Sequence, residues 1–230
     1  MDIKTGVFYA VGVGPGDSEL LTCKAVRILT ACPVIAAPQT DSGQMLALDI
    51  VRPVVPLDGH RMLPLSLPMT RNRGQMDRAY ADAAEQIAAF LDKGEDVAMV
   101  NLGDVSLYAT SAPITALLQK QGYHTEMVPG IPSFCAAAAR LGQPLVQGEQ
   151  PLLVLPANSP ETARMLSLPG TKVLMKPSRN LSSLKAALAG QSAAMVERCG
   201  LEGERVYSAL SDFPERSGYF TTVIVKERER

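Results

Sequence analysis

Apolar runs of strand length alternate with stretches of helical periodicity through the first half of the chain. Residues 6–13 form an apolar run that predicts a buried strand. Residues 18–30 repeat Leu21, Ala25, Ile28 and Leu29 along one helix face, with Asp17 or Ser18 as the cap. A short apolar run over 33–37 predicts the next strand. Residues 58–74 carry Pro64 and Pro68, which argue against regular helix there. A helix over about 76–93 follows, with Tyr80, Ala83, Ala84, Ile87, Ala88 and Leu91 on its apolar side and Gly94 as its stop. A buried-type strand over 96–102 and a helix from near Ser111 to Gly122 complete this half. Strand–helix alternation of this kind predicts parallel strands joined by crossover helices.

After Gly122 the rhythm changes. A strand at 125–128 leads into Pro129-Gly130-Ile131-Pro132-Ser133-Phe134 and an alanine-rich helix over 135–141. Strand-like runs then fall at 152–156, 172–175, 193–198, 205–208 and 219–225. Several are linked by segments too short for a crossover helix, so some pairs must be antiparallel. The pattern predicts two α/β domains, residues 1–122 with a mostly parallel sheet and residues 123–230 with a mixed one. Residues 226–230 alternate Lys, Glu and Arg and read as a solvated tail.

Two of the strands in the first half end in glycine turns. Gly12-Val13-Gly14-Pro15-Gly16-Asp17 lacks what a dinucleotide fingerprint needs: Asp17 stands where the third glycine belongs, Ala36-Ala37-Pro38 carries no acid for a ribose, and Pro15 removes an N–H. Such a turn is either a tight connection or the wall of a small-molecule site. The strand at 96–102 ends in Leu102-Gly103-Asp104-Val105-Ser106-Leu107-Tyr108, again with glycine and aspartate at a strand's carboxyl end. Open α/β sheets bind ligands there, and two such turns can converge on one pocket. Asp104 either caps its turn or faces a ligand.

Composition removes other classes. With 230 residues, a net charge of −1, no Trp and no basic run, the chain has neither the field nor the stacking surface for nucleic acid. No apolar stretch reaches the roughly 18 residues of a membrane span, so a cytoplasmic protein is expected. Cys23, Cys32, Cys135 and Cys199 are scattered and read as small core residues, and neither His60 nor His124 has a second ligand at helical spacing, so no metal site is expected.

Taken in order, the first glycine turn with Pro15, the Gly103-Asp104 turn, Pro129-Gly130-Ile131-Pro132-Ser133-Phe134, Leu174-Met175 and the closing Tyr219-Phe220-Thr221-Thr222 resemble the tetrapyrrole methylases. Those enzymes transfer methyl groups from S-adenosylmethionine to cobalamin and sirohaem precursors. Within the family the likeness is strongest to the branch acting on carbon 20 of precorrin-2 or cobalt-factor II. Its pointers are Val105 after Asp104, where many relatives have proline, and Leu67-Pro68-Met69-Thr70. Pro132 departs from the Ser or Thr usual in the third motif.

The resemblance implies two α/β domains with the cofactor in a cleft between them, and a homodimer. It implies that Leu102, Gly103, Asp104, Leu107 and Tyr108 line one side of the cofactor and Ser133, Phe134, Met175, Cys199, Gly200, Phe220 and Thr221 the other, with Pro15 on the tetrapyrrole face. The substrate's carboxylates call for a basic rim, for which His60, Arg61, Arg71 and Arg73 are the candidates. Asp104 is the candidate catalytic group, stabilising charge on a ring nitrogen or orienting the macrocycle. Methylation at another carbon, modification of protein or ribosomal RNA, and a non-catalytic module binding an adenosyl ligand or tetrapyrrole remain alternatives, with the near-neutral charge counting against RNA. Whether the substrate already carries cobalt is open.

Overall fold

The computed structural model describes residues 5–227 apart from 41, 69, 71, 178 and 179. The chain divides into two compact units, Met1–Pro132 and Ser133–Arg230.

The first unit is built on a five-stranded parallel sheet. Its strands are β1 (Phe8–Gly12), β2 (Val34–Gln39), β3 (Arg61–Ser66), β4 (Val97–Asn101) and β5 (Thr125–Val128), in the order β3-β2-β4-β1-β5. Every residue of β4 is buried, as befits a central parallel strand. The crossover helices are α1 (Cys23–Ala31), α2 (Leu46–Val51), α3 (Arg73–Leu91) and α4 (Ser111–Lys120). Ala83, Ala84, Ile87 and Leu91 of α3 join Ile114 and Leu118 of α4 over Phe8, Val97 and Met99 of the sheet.

Local chemistry moves several boundaries from where periodicity puts them. Asp17 does cap, but its Oδ1 accepts from the Glu19 N–H at 2.9 Å and closes only a single turn, Ser18–Leu20. The helix proper starts at Cys23, where Thr22 Oγ1 accepts from the Ala25 N–H at 3.1 Å. Residues 61–66, expected to be irregular, form β3. Its Pro64 is tolerated because the strand lies at the sheet edge, with one side free of ladder bonds. α3 begins at Arg73, ahead of its apolar repeat, because Asn72 Oδ1 accepts from the Gln75 N–H at 3.2 Å. β5 pairs in parallel with β1, Phe8 opposite Thr125, so the strand after Gly122 belongs to the first sheet. The division of the chain therefore falls at Pro132 and Ser133, later than the change of rhythm after Gly122 indicates.

The second unit holds the mixed sheet. β6 (Leu152–Pro156) runs parallel to β7 (Thr171–Met175), while β8 (Ser192–Glu197), β9 (Arg205–Tyr207) and β10 (Thr221–Lys226) pair antiparallel, in the order β6-β7-β10-β8-β9. Helix α5 (Ser133–Arg140) lays Ala137 and Ala138 against Val196 and Ile224 on one face. The opposite face buries Leu174, Met195 and Val223 with Leu181, Leu188 and Phe213. Two short helices went unforeseen: α6 (Pro160–Met165), capped by Ser159 and opened by proline, and α7 (Ser182–Ala187). Lys226, expected in a solvated tail, ends β10 with its ammonium donating to the Pro144 and Leu145 carbonyls. Among the described residues no helix is long and apolar enough to cross a membrane.

Candidate ligand site at the strand ends

In the first unit, the carboxyl ends of the neighbouring strands β4, β1 and β5 are drawn together backbone against backbone. Gly14 and Gly103 exchange both hydrogen bonds, Gly103 N–H to Gly14 carbonyl at 2.7 Å and the reverse at 3.2 Å. A Cβ at Gly12 would stand 2.7 Å from both the Gly103 carbonyl oxygen and the Gly130 nitrogen, and one at Gly130 would stand 2.2 Å from that same oxygen. Gly103 itself has φ 71, open to glycine and costly for residues with a Cβ. Gly12 and Gly130 thus serve close approach of the chain to itself, and Gly103 the turn conformation between them.

Asp104 ties the convergence. Its Oδ1 accepts from the Ser106 N–H at 2.8 Å and from the Ser106 hydroxyl, and its Oδ2 accepts from the Gly130 N–H at 2.9 Å, across the two loops. Burial, to 9% exposure, works to raise the carboxyl pKa. The donors from Ser106, Gly130 and Val105 outweigh burial and hold it below the usual aspartate value. Both oxygens are therefore committed to protein donors. Asn101 is the second polar anchor: it is buried, its carbonyl accepts from Val13 N–H at 2.9 Å, and its Oδ1 accepts from Ser111 N–H at 3.1 Å, serving the start of α4 in place of a side-chain cap from Thr110. Nothing in the pattern of apolar residues pointed to it.

Around this anchor, Leu102 and Leu107 are half-buried, Pro15 is half-buried, and Tyr108 is 49% exposed in a left-handed conformation, φ 52. Val105 faces away, into the core with Ile114 and Leu118.

In the second unit, residues from separate segments gather at the ends of the three central strands, where β7 and β8 end and β10 begins. Thr222 stands opposite Met175 in register, and Thr221 opposite Glu197. The Arg198 N–H donates to the Phe220 carbonyl at 2.7 Å, which sets Cys199 and Gly200 beside Phe220 and Thr221. Ser133 Oγ lies 3.3 Å from Thr222 Oγ1 at the start of α5, and Phe134 turns inward to 6% exposure. Sequence reading missed the group that holds the Cys199-Gly200 turn. Glu204 Oε2 accepts from the Gly200 N–H at 2.8 Å, and Glu204 Oε1 pairs with Arg140 at the end of α5. The Arg140 hydrogen bond, against opposing desolvation, holds the Glu204 carboxyl below its ordinary value.

Among the described residues the basic candidates are not brought together. Arg61 opens β3 at the amino end of the parallel sheet, about a strand length (roughly 20 Å) from the glycine turns. There it pairs with Glu95, and its guanidinium lies 5.2 Å from the Phe90 ring centre. His60 precedes it at that same end. Arg73 is exposed at the first position of α3, and Arg71 lies outside the described residues. Of the cysteines, Cys32 is a core residue, its thiol pushed up to about 12 by burial. Cys23 and Cys135 are exposed on the outer faces of α1 and α5, contrary to the core placement expected of them.

The sequence model of the Tetrapyrrole (Corrin/Porphyrin) Methylases matches residues 7–213. The chain is 33% identical over 234 residues to cobalamin biosynthesis protein CobIJ of Mycobacterium tuberculosis, a match taking in 96% of this chain and 46% of that protein, so it spans about half that relative's length. It is 31% identical over 234 residues to the cobalt-precorrin-2 C(20)-methyltransferase of Salmonella typhimurium, with 97% of each chain covered. Among solved structures, uroporphyrin-III C-methyltransferase from Thermus thermophilus complexed with S-adenosyl homocysteine superposes with a TM-score of 0.68 at 22% identity, covering 96% of this chain and 98% of that one.

Proposed function

We propose that this chain, which belongs to the tetrapyrrole methylases, transfers a methyl group from S-adenosylmethionine to carbon 20 of precorrin-2 or its cobalt-loaded counterpart, as a homodimer in cobalamin biosynthesis. The observation that carries the reading is the gathering of Ser133, Met175, Cys199, Gly200, Phe220 and Thr221 at the ends of the central strands of the second sheet, from segments far apart in sequence. Mutual coverage of 97% with a relative named for that reaction supports the regiochemistry.

The residues present suit an adenosyl sulfonium. In the second unit half-buried Met175 and Phe220 offer apolar and aromatic surface, and the exposed Gly200 leaves backbone open to a polar ligand edge. In the first unit half-buried Leu102 and Leu107 and the exposed Tyr108 ring offer apolar and aromatic surface of their own. A sulfonium cation is favoured over aromatic faces and needs no buried counter-ion. When bound, S-adenosylmethionine supplies a methyl group already activated for in-line displacement.

The protein's part is to bind, align and exclude water. A bridging carbon of a reduced tetrapyrrole is enamine-like and nucleophilic, so a strong base is not required. Orientation alone can supply up to about 7–11 kcal/mol of the barrier. On this reading Asp104 acts by fixing the Gly103 and Gly130 loops as one rigid wall, with Asn101 and Ser106 completing it. Glu204 does the corresponding service for the Cys199-Gly200 turn.

Titration calorimetry of the purified chain with S-adenosylhomocysteine tests the cofactor. A dissociation constant within the span common for enzyme ligands, about 1 μM to 1 mM, is the expected result. Folded protein that takes up neither this product nor S-adenosylmethionine refutes the reading.

A further inference from the structure

Two cations occupy backbone positions that glycine would fill more easily. Lys176 follows the last residue of β7 with φ 53, and Arg198 follows the last residue of β8 with φ 54. In that left-handed region a Cβ crowds the following carbonyl. The surroundings hold both residues there: Lys176 N–H donates to the Thr221 carbonyl at 3.3 Å, Asn158 Nδ2 donates to the Lys176 carbonyl at 2.8 Å, and Arg198 N–H donates to the Phe220 carbonyl at 2.7 Å. Strain of this kind concentrates at ligand sites, where it persists because the surroundings over-determine it. Long cationic side chains are kept at a cost that glycine would remove, which points to the side chains as what is needed.

Their environment fits that role. Lys176 Nζ lies 5.5 Å from the centre of the Tyr219 ring, which is 41% exposed and packs edge-on against Phe220 with ring centres 5.2 Å apart. Arg198 spends its Nε on the Glu202 carbonyl at 2.7 Å. The neighbouring Glu197 carboxylate turns one oxygen to the Gly218 N–H. Among the described residues neither cation has a carboxylate at ion-pair distance. Because β7 and β8 flank β10, the two backbone positions stand about two strand spacings apart, roughly 10 Å, on either side of Phe220 and Thr221.

We propose that Lys176 and Arg198, with the Tyr219 ring between charge and solvent, recognise the carboxylate side chains of the tetrapyrrole in place of the expected His60 and Arg61. The inference rests on the methylase reading. Carboxylates are also present on the amino-acid end of the cofactor, but that end offers one, whereas the rim of a flat macrocycle offers several at separations that two spaced cations can meet.

Glycine substitution is a clean test, since it removes the side chain and relieves the backbone together. Lys176→Gly, Arg198→Gly and the double variant are compared with the natural chain by thermal unfolding, by calorimetry with S-adenosylhomocysteine, and by absorbance titration with uroporphyrin, an octacarboxylate probe. Each single variant is expected to keep or raise the unfolding midpoint, keep cofactor-product affinity, and bind uroporphyrin about fivefold more weakly, the upper end for a partly exposed ion pair. The double variant should also show a flatter salt dependence. Undiminished uroporphyrin binding by the double variant overturns the proposal. So does a loss confined to S-adenosylhomocysteine, which would assign the cations to the cofactor's own carboxylate. Failure of the natural chain to bind S-adenosylhomocysteine refutes the methylase reading, while the uroporphyrin comparison still decides the role of the pair.

Discussion

Gly130→Ala is expected to destabilise the first unit by about 3 kcal/mol, the upper end for an overpacked site, and to lower its thermal midpoint by roughly 6–12 °C. The added methyl would lie 2.2 Å from the Gly103 carbonyl oxygen and 2.8 Å from the Gly12 carbonyl carbon. Both neighbours are backbone, and both belong to loops that close on one another, so no side-chain rotation can make room. The Gly130 N–H would be pushed off the Asp104 carboxylate in the same movement, and cofactor-product affinity should fall with stability. Gly74→Ala is the control. It sits in the first turn of α3, where a Cβ would meet only the Asn72 Oδ1 at 3.5 Å, and alanine there should leave the midpoint unchanged or slightly higher. Calorimetric melting of the two variants beside the natural chain checks the pair of results.

Asp104→Asn is expected to cost about 1–3 kcal/mol. Both carboxylate oxygens accept N–H donors, one from Ser106 and one from Gly130. An amide supplies one acceptor and one donor, so one of these contacts must become donor facing donor. The pH dependence carries a sign. The folded-state pKa of Asp104 is depressed, so its contribution is present above the unfolded value near 3.9 and is lost as pH falls through the lower folded value. Natural protein should therefore lose stability as the pH drops below about 4, and Asp104→Asn should lose less over that window because its contribution is already absent. If instead the variant melts like the natural chain while methyl transfer drops sharply at unchanged cofactor affinity, Asp104 acts on the reacting groups and not on the loops.

How much of this was legible in the sequence depends on whether the signal was local. The buried strands β1 and β4 and the central part of α3 follow from apolar runs and a clear helical repeat, and the glycine turns at 12–16 and 103 mark the strand ends correctly. β3 was missed because Pro64 reads as a breaker until the strand is known to lie at an edge. The change of rhythm after Gly122 suggested a boundary, but parallel pairing of β5 with β1 is a long-range fact that no local pattern carries. At the site, residue types were found more readily than partners. Asp104 stood out, while the Gly130 N–H that occupies its second oxygen comes from a loop 26 positions away. Arg61 was named for its charge, while its pairing with Glu95 and its contact with the Phe90 ring at the amino end of the sheet are partners that its own sequence neighbourhood does not reveal. Lys176 and Arg198 gave no signal beyond charge, since what distinguishes them is a backbone angle.

The central claim is the transfer itself. Incubating the chain with precorrin-2, or with its cobalt-loaded form, and S-adenosylmethionine labelled with carbon-13 at the methyl group should add one labelled methyl, and NMR of the isolated product should place it on carbon 20. A label attached to any other carbon would contradict the regiochemistry proposed from the likeness to the C(20)-methyltransferase of Salmonella typhimurium. A product without label, from folded protein that binds the cofactor, would contradict the methyltransferase reading as a whole.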